Sequence, residues 1–332
     1  MTAERVRGAL GGAFSGLADG DVPPGAALYR GKVRDVVSLG NAVALVASDR
    51  ISAFDRVLST VPWKGEILSR VSGWWFERTA DIVPNHLLDA RQTGGLDALA
   101  RSGRCVLARR CDMLPVEVVV RGYLTGSAWR DYAAGRPVPG ADFPEGLRRN
   151  QRLPRPVITP STKEASGHDR PCSGDELVLS GAVDADVWAE AERLALALFA
   201  RGQELASSRG LILVDTKYEF GLTDGRLVVA DEIHTPDSSR YWYADGYAER
   251  YQADSNQREL DKETFRRWLV ERGFSGDGAP PAIDDDVRVE TALRYMDAFE
   301  AITGQVFEPV CPDAQSAGVA VAYVLKEGLA GR

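Results

Sequence analysis

The stretch "LILVDTKYEFGLTDGRLVVADEIHTPDSSRYW", Leu211 to Trp242, decides the fold. Its apolar runs suit a core, yet charges enter at alternate positions: Asp215, Lys217 and Glu219, then Asp231, Asp237 and Arg240. In a strand, residues two apart share a face. Asp215, Lys217 and Glu219 therefore take one face, and Val214, Thr216, Tyr218 and Phe220 the other. Thr223-Asp224-Gly225 predicts a hairpin turn, which brings Asp231 on the returning strand towards Glu219. Two carboxylates held together repel unless a cation lies between them. Oxygen-only ligands favour a hard ion such as Mg²⁺, which takes one or two carboxylates together with phosphate oxygens. A solvated strand face with a salt bridge is the alternative. The apolar flanks favour burial, where unpaired charge is costly, and so favour Glu219 and Asp231 as metal ligands.

Working outward, "DADVWAEAERLALALFARGQELASSRG" reads as an amphipathic helix ending at Gly210. "EILSRVSGWWFERTADI", "DKETFRRWLVERG" and "DDVRVETALRYMDAFEAITG" predict further helices. The first third holds short strands, in "ALYRGKVRDVVSL" and "NAVALVAS". "RCVLARRCDMLPVEVVVRGYL" gives two strand-like runs joined by a hinge at Asp112 to Pro115, and the Pro- and Gly-rich segment from about Ala133 to Gly174 reads as a long mobile connection. The mixture predicts an α+β protein of two lobes, a small β-rich one over 1–113 and a larger α+β one over 114–332 that carries the C-terminal helices.

The 332 residues are 44% hydrophobic and 27% charged, enough for one large core or two linked ones. A formal net charge of −8, with no basic block, argues against general nucleic-acid binding. No apolar run predicts a signal peptide or a membrane span. The four cysteines, Cys105, Cys111, Cys172 and Cys311, lack metal-site spacing and read as reduced thiols of a cytoplasmic protein.

Several motifs point to anions. "YRGKVRD" fails the P-loop pattern because Val33 stands where a hydroxyl residue is needed. On an extended strand, however, Lys32 and Arg34 would share a face and could meet nucleotide phosphates. "VVVRGYLTGSAW" sets Arg121 before Gly122, Gly126 and Ser127, a composition that allows close approach to an anion, which guanidinium binds in bidentate fashion. An ordinary strand-to-helix turn reads equally well there. "TPSTKEASGHD" offers Lys163, His168 and Asp169, while Arg240 and Arg266 add cations further on. No GxSxG or HExxH occurs, and no nucleophile stands out. The residues support an ATP–Mg²⁺ enzyme with a second, arginine-lined anion pocket, without naming the acceptor.

Taken in order, "RGKVRD", "SDRISAFD", "WKGEILS", "MLPVEVVVRGYLTGSAW", "TPSTKEASGHD", "VDTKYEFG", "DEIHTPDSSRYW" and "DKETFRRWL" closely resemble the phosphoribosylaminoimidazole-succinocarboxamide synthase (SAICAR synthase) family, in its longer form. The resemblance runs from about Tyr29 to Leu269. It implies a two-lobed, ATP-grasp-like fold with antiparallel sheets and a nucleotide cleft between the lobes. It also implies joining of carboxyaminoimidazole ribotide (CAIR) to L-aspartate with ATP and Mg²⁺.

Residue by residue, the resemblance implies ATP contacts from Lys32, Arg34, Arg110, Met113, Leu114 and Lys163, with Glu219 and Asp231 holding metal. It implies ribotide contacts from Ser52, Asp55, Arg121, Ser127, Lys217, Asp237, Arg240 and Arg266, and puts Asp215 and Asp237 near the imidazole or its carboxylate. Lys217, Asp215 and Lys163 become the catalytic candidates, and His168 and Asp169 the amino-acid-binding ones. The chain departs from the family pattern at Arg170-Pro171-Cys172, where many long-form members carry Glu-Asn after "GHD", at Arg110 in place of lysine, and at Glu66, for which the sequence offers no account. The alternatives are a paralogous ligase acting on another azole ribotide or amino acid, a small-molecule kinase, and a non-catalytic nucleotide-binding protein. By analogy with the long form, a monomer is favoured over a homodimer.

Overall fold

Asp224 and Gly225, both at positive φ (51° and 74°), close a two-residue turn that pairs Thr223 with Arg226. Such a turn matches the right-handed twist of the strands that it joins. This hairpin is the centre of the larger sheet in the computed structural model, which describes residues 1–89, 91–163, 169–260 and 262–329.

In chain order the elements are α1 (Ala3–Ala9), β1 (Ala27–Arg30), β2 (Arg34–Leu39), β3 (Ala42–Ala47), β4 (Arg50–Ala53), β5 (Arg56–Thr60), α2 (Lys64–Thr79), α3 (Ala98–Ser102), β6 (Cys105–Arg109) and β7 (Asp112–Leu124). There follow α4 (Gly126–Ala133), β8 (Gln151–Ile158), β9 (Ser161–Thr162), α5 (Gly174–Leu179), α6 (Ala185–Ser207), β10 (Leu211–Thr223), β11 (Arg226–Ala230), β12 (Ser239–Tyr243), α7 (Tyr247–Gln252), α8 (Glu263–Glu271), α9 (Asp285–Thr303) and α10 (Ala314–Gly328).

Two compact units emerge: Met1–Trp74 with His86–Arg110 and Asp261–Arg332, and Trp75–Asn85 with Cys111–Leu260. The division differs from the linear one at residue 113, because the C-terminal helices belong with the N-terminal segment. The reason is burial. The antiparallel sheet β1-β2-β3-β6 turns Val37, Ala44, Val46 and Leu107 to one side, and Val321, Val324 and Leu325 of α10 cover them. An apolar sheet face must be covered by some element, and here the cover comes from the far end of the chain.

The second unit is a six-stranded antiparallel sheet, ordered β11-β10-β7-β8, with β12 also on β10 and β9 also on β7. Helix α6 packs on it closely. A Cβ on Gly202 would stand 2.6 Å from both Leu213 and His234, and one on Gly122 would stand 3.2 Å from Phe199. Gly122 therefore serves helix packing and not approach to an anion.

Two predicted loops contain strand. The Asp112–Pro115 hinge lies inside the continuous strand β7, and the chain passes between units at Arg110 and Cys111 instead. The connection expected over 133–174 contains β8 and β9. Pro154 and Pro156 hid β8, but proline is tolerated on an edge strand, and β8 is the edge.

Candidate active site

The charged face of β10 is built by register. Asp215 is paired with Arg121 of β7 on one side and with Arg240 of β12 on the other. Its carboxylate accepts from both guanidiniums, at 3.3 and 2.7 Å. Arg121 also donates to Thr159 Oγ1 at 2.8 Å and to Ser127 Oγ at 3.3 Å. Ser127 is the second residue of α4, whose first, Gly126, has φ +59° and lies against the Arg240 guanidinium so closely that a Cβ would come within 2.3 Å. Two arginines, a hydroxyl and the start of a helix thus converge, a donor set suited to a phosphate. Burial lowers the Arg121 pKa, Asp215 opposes the shift, and Arg240 and Arg130 add to it. Asp131 opposes it as well, so three arginines stand against two carboxylates among the described residues here.

A bulge aids the arrangement. Leu213 and Asp215 pair with the consecutive residues Tyr241 and Arg240, which shifts the alternation by one. Val214 consequently packs with Tyr123 and Trp242, not with Tyr218 as simple alternation predicted, while Tyr218 bonds His234 at 2.5 Å.

Further along β10, Lys217 Nζ lies 2.5 Å from Glu117 and 3.3 Å from Glu219, and Lys163 bonds the other oxygen of Glu219. Glu117 and Glu219 stand directly opposite each other on β7 and β10. Like charges so placed repel unless a cation is shared, and Lys217 is that cation. Burial alone would lower the Lys217 pKa, but Glu219, Glu117 and Asp231 raise it instead. Burial likewise pushes Glu219 up, and Lys217 with Lys163 overcomes this to hold its carboxyl below the usual range. Asp231 is not on the returning strand. It follows the end of β11, with φ +60°, one residue past the Glu219–Ala230 pair.

Lys217, which the resemblance set at the ribotide phosphate, is thus held among carboxylates. Asp215, expected near the imidazole or its carboxylate, is bonded to two arginines. Asp237 is half-buried, with its backbone N–H on Thr235 Oγ1 at 3.3 Å. Leu114 is buried and Met113 exposed on β7. Asp169 is exposed, and His168 lies outside the described residues.

The remaining candidates belong to the first unit. Lys32 is not strand-borne. It lies in the turn between β1 and β2, where Gly31 N–H donates to Arg34 carbonyl oxygen at 2.8 Å, and Arg34 opens β2. The face argument therefore does not apply to that pair. Lys32 meets Asp55 at 2.5 Å. Asp55 and Phe54 form the tip of the β4–β5 hairpin, with φ of 61° and 51°, and Ser52 lies on β4. Non-glycine residues in this region are uncommon and cluster at functional sites. Arg266 of α8 stands over the Phe54 ring at 5.9 Å, so the tip and α8 come together. Arg110 follows β6, its N–H on the Asn41 carbonyl oxygen at 3.0 Å.

Comparison with known proteins bears on this arrangement. A family model described as SAICAR synthetase matches residues 27–281. The chain belongs to the SAICAR synthetase family. A relative from Legionella pneumophila (strain Lens), named phosphoribosylaminoimidazole-succinocarboxamide synthase, is 46% identical over 286 residues, covering 84% of this chain and 88% of its own length. One of the same name from Bacteroides fragilis is 44% identical over 295 residues, covering 87% and 91%. Among solved structures, the SAICAR synthase from Saccharomyces cerevisiae complexed with SAICAR matches with a TM-score of 0.75 and 31% identity, covering 89% of this chain and 99% of that one. The α+β, ATP-grasp-like fold with antiparallel sheets is that of the family.

Sequence reasoning missed Glu117. Its signal was a single carboxylate in the apolar run "PVEVVV", legible only once β7 is known to pair with β10 in this register.

Proposed function

We infer that the chain is an ATP-dependent, amide-forming ligase that joins L-aspartate to the carboxylate of CAIR, giving SAICAR, ADP and phosphate in purine biosynthesis. The observation that carries this reading is the pairing of an arginine-lined anion site (Arg121, Arg240, Ser127), gathered around Asp215 of β10, with a lysine–carboxylate cluster (Lys163, Lys217, Glu219) further along the same strand's charged face, in a chain of this family.

A carboxylate is a poor electrophile. Transfer of the γ-phosphoryl group of ATP to a CAIR carboxylate oxygen makes an acyl phosphate. The deprotonated amine of aspartate then attacks the carbonyl carbon, forming the C–N bond as the C–O bond to phosphate breaks. Arg121 and Arg240, oriented by Asp215, bind the ribotide phosphate, with Ser127 as a further donor. Ser52, Asp55, Asp237 and Arg266 complete the ribotide contacts. Lys32, Arg34 and Lys163 contact the nucleotide phosphates, and Arg110, Met113 and Leu114 border the adenine. Asp169 and His168 contact the amino acid. Charge neutralisation and positioning supply most of the acceleration in such transfers.

Glu219 and Asp231 suit Mg²⁺, being hard oxygen donors in a place already built to accept cations. Among the described residues no group of three or more His, Cys, Asp or Glu side chains could hold a metal by itself, and a site completed by phosphate oxygens needs no such group. Bound there, Mg²⁺ would neutralise phosphate charge.

The reading extends to a cytoplasmic monomer that binds neither nucleic acid nor membrane. No helix among the described residues is long and apolar enough to cross a bilayer. A paralogous ligase is the second reading, favoured by Arg170-Pro171-Cys172 in the segment next to Lys163.

ADP release by the purified protein, with each component omitted in turn, tests the assignment. Release that needs Mg²⁺-ATP, CAIR and L-aspartate together, and that is lost in Glu219→Gln, is expected. Release independent of aspartate would indicate another amine acceptor, and silence with CAIR would overturn the assignment.

A further inference from the structure

Glu219 has two carboxylate oxygens, and ammonium groups hold both: Lys217 on Oε1 at 3.3 Å and Lys163 on Oε2. A metal ion at Glu219 must take one of these oxygens. The Lys217 side chain is 31% exposed, and its register partner across the sheet is the apolar Val119, which offers it no counter-charge. Its shorter contact is to Glu117, at 2.5 Å, from the diagonal position on β7. Glu117 is itself largely buried, with 17% of its side chain exposed, and it faces Glu219 directly.

We propose that Glu117 is a positioning residue: it holds the Lys217 ammonium on the β7 side, so that the longer Lys217–Glu219 contact is the one that yields and Glu219 is released to a divalent cation. The inference rests on the reading of Glu219 as a metal ligand. Glu117 has a partner that no metal needs to displace. Without it, Glu219 becomes the bonded carboxylate left to Lys217, and the ammonium competes with the metal for the same oxygen. The role is distinct from ligation, and a second substitution separates the two, since residues in one ion-pair network couple non-additively.

The test is Mn²⁺ titrated into ADP-saturated protein and followed by electron paramagnetic resonance, for the parent chain, Glu117→Gln, Lys217→Met and the double variant. Glu117→Gln is expected to bind Mn²⁺ at least tenfold more weakly, and the double variant to recover to within about threefold of the parent, because the competing ammonium is gone. Thermal melting of each variant gives the folded fraction that normalises the titration. Unchanged Mn²⁺ affinity in Glu117→Gln would overturn the proposal. A loss that Lys217→Met fails to reverse would also overturn it, and make Glu117 a ligand instead. If Glu219→Gln binds Mn²⁺ as tightly as the parent, the metal reading itself fails, and the proposal with it.

Discussion

Gly126 shows at the scale of one residue how backbone freedom shapes an anion site. Its φ of +59° and its contact with the Arg240 guanidinium both exclude a side chain. In Gly126→Ala, the left-handed backbone costs about 1 kcal/mol or more, and the new methyl pushes Arg240 off Asp215. The KM for the ribotide is expected to rise about tenfold, the loss of one charged hydrogen bond, with kcat within about twofold. Steady-state kinetics with CAIR varied would check this, and an unchanged KM would remove Arg240 from the ribotide site. "TGS" alone marked the position as small, but that the smallness serves Arg240 was not legible, because the arginine comes from β12, more than a hundred residues further along the chain.

Helix α2 does the corresponding work at the scale of an element. Glu66, which the sequence left without an account, is fully buried near its start, accepting the Val310 N–H at 2.7 Å and pairing with Arg70 at 3.0 Å. Burial pushes its carboxyl up, while the Val310 N–H and Arg104 pull against the shift. The residue ties α2 to the segment between α9 and α10. Glu66→Ala leaves the Val310 N–H without its acceptor and Arg70 without its carboxylate partner, and should cost about 2–3 kcal/mol. Urea unfolding would measure it, and a loss below about 0.5 kcal/mol would deny the tie. The helices themselves were legible: α6 has Asp184 capping Asp186 and Val187, then apolar residues at helical spacing. Strand β8 was not, since its two prolines signal a loop unless an edge position is known.

For the whole molecule, His234 links pH to stability. It is buried against Tyr218 and Trp75, and burial pushes its pKa down to about 3. In the unfolded chain it titrates near ~6.5. Below that pH the unfolded state binds a proton that the folded state refuses, so stability is complete above about 6.5 and falls as pH drops towards the folded value. The full loss is about 5 kcal/mol at 1.36 kcal/mol per unit. In unfolding measured from pH 7 to 4, His234→Phe should show a shallower decline than the parent, and parallel curves would refute the linkage. The sequence by itself determined the hairpin, the amphipathic helices, the family and most charged candidates, because alternation, helical period and turn chemistry are local properties of the chain. Only the tertiary structure decided which charges meet. Asp215 came to two arginines and Lys217 to Glu117 through strand register and a bulge, and α10 closed the first unit over a sheet from the other end of the chain. Electrostatic and packing energies depend on distance in space, and no local pattern fixes the distance between residues a hundred positions apart.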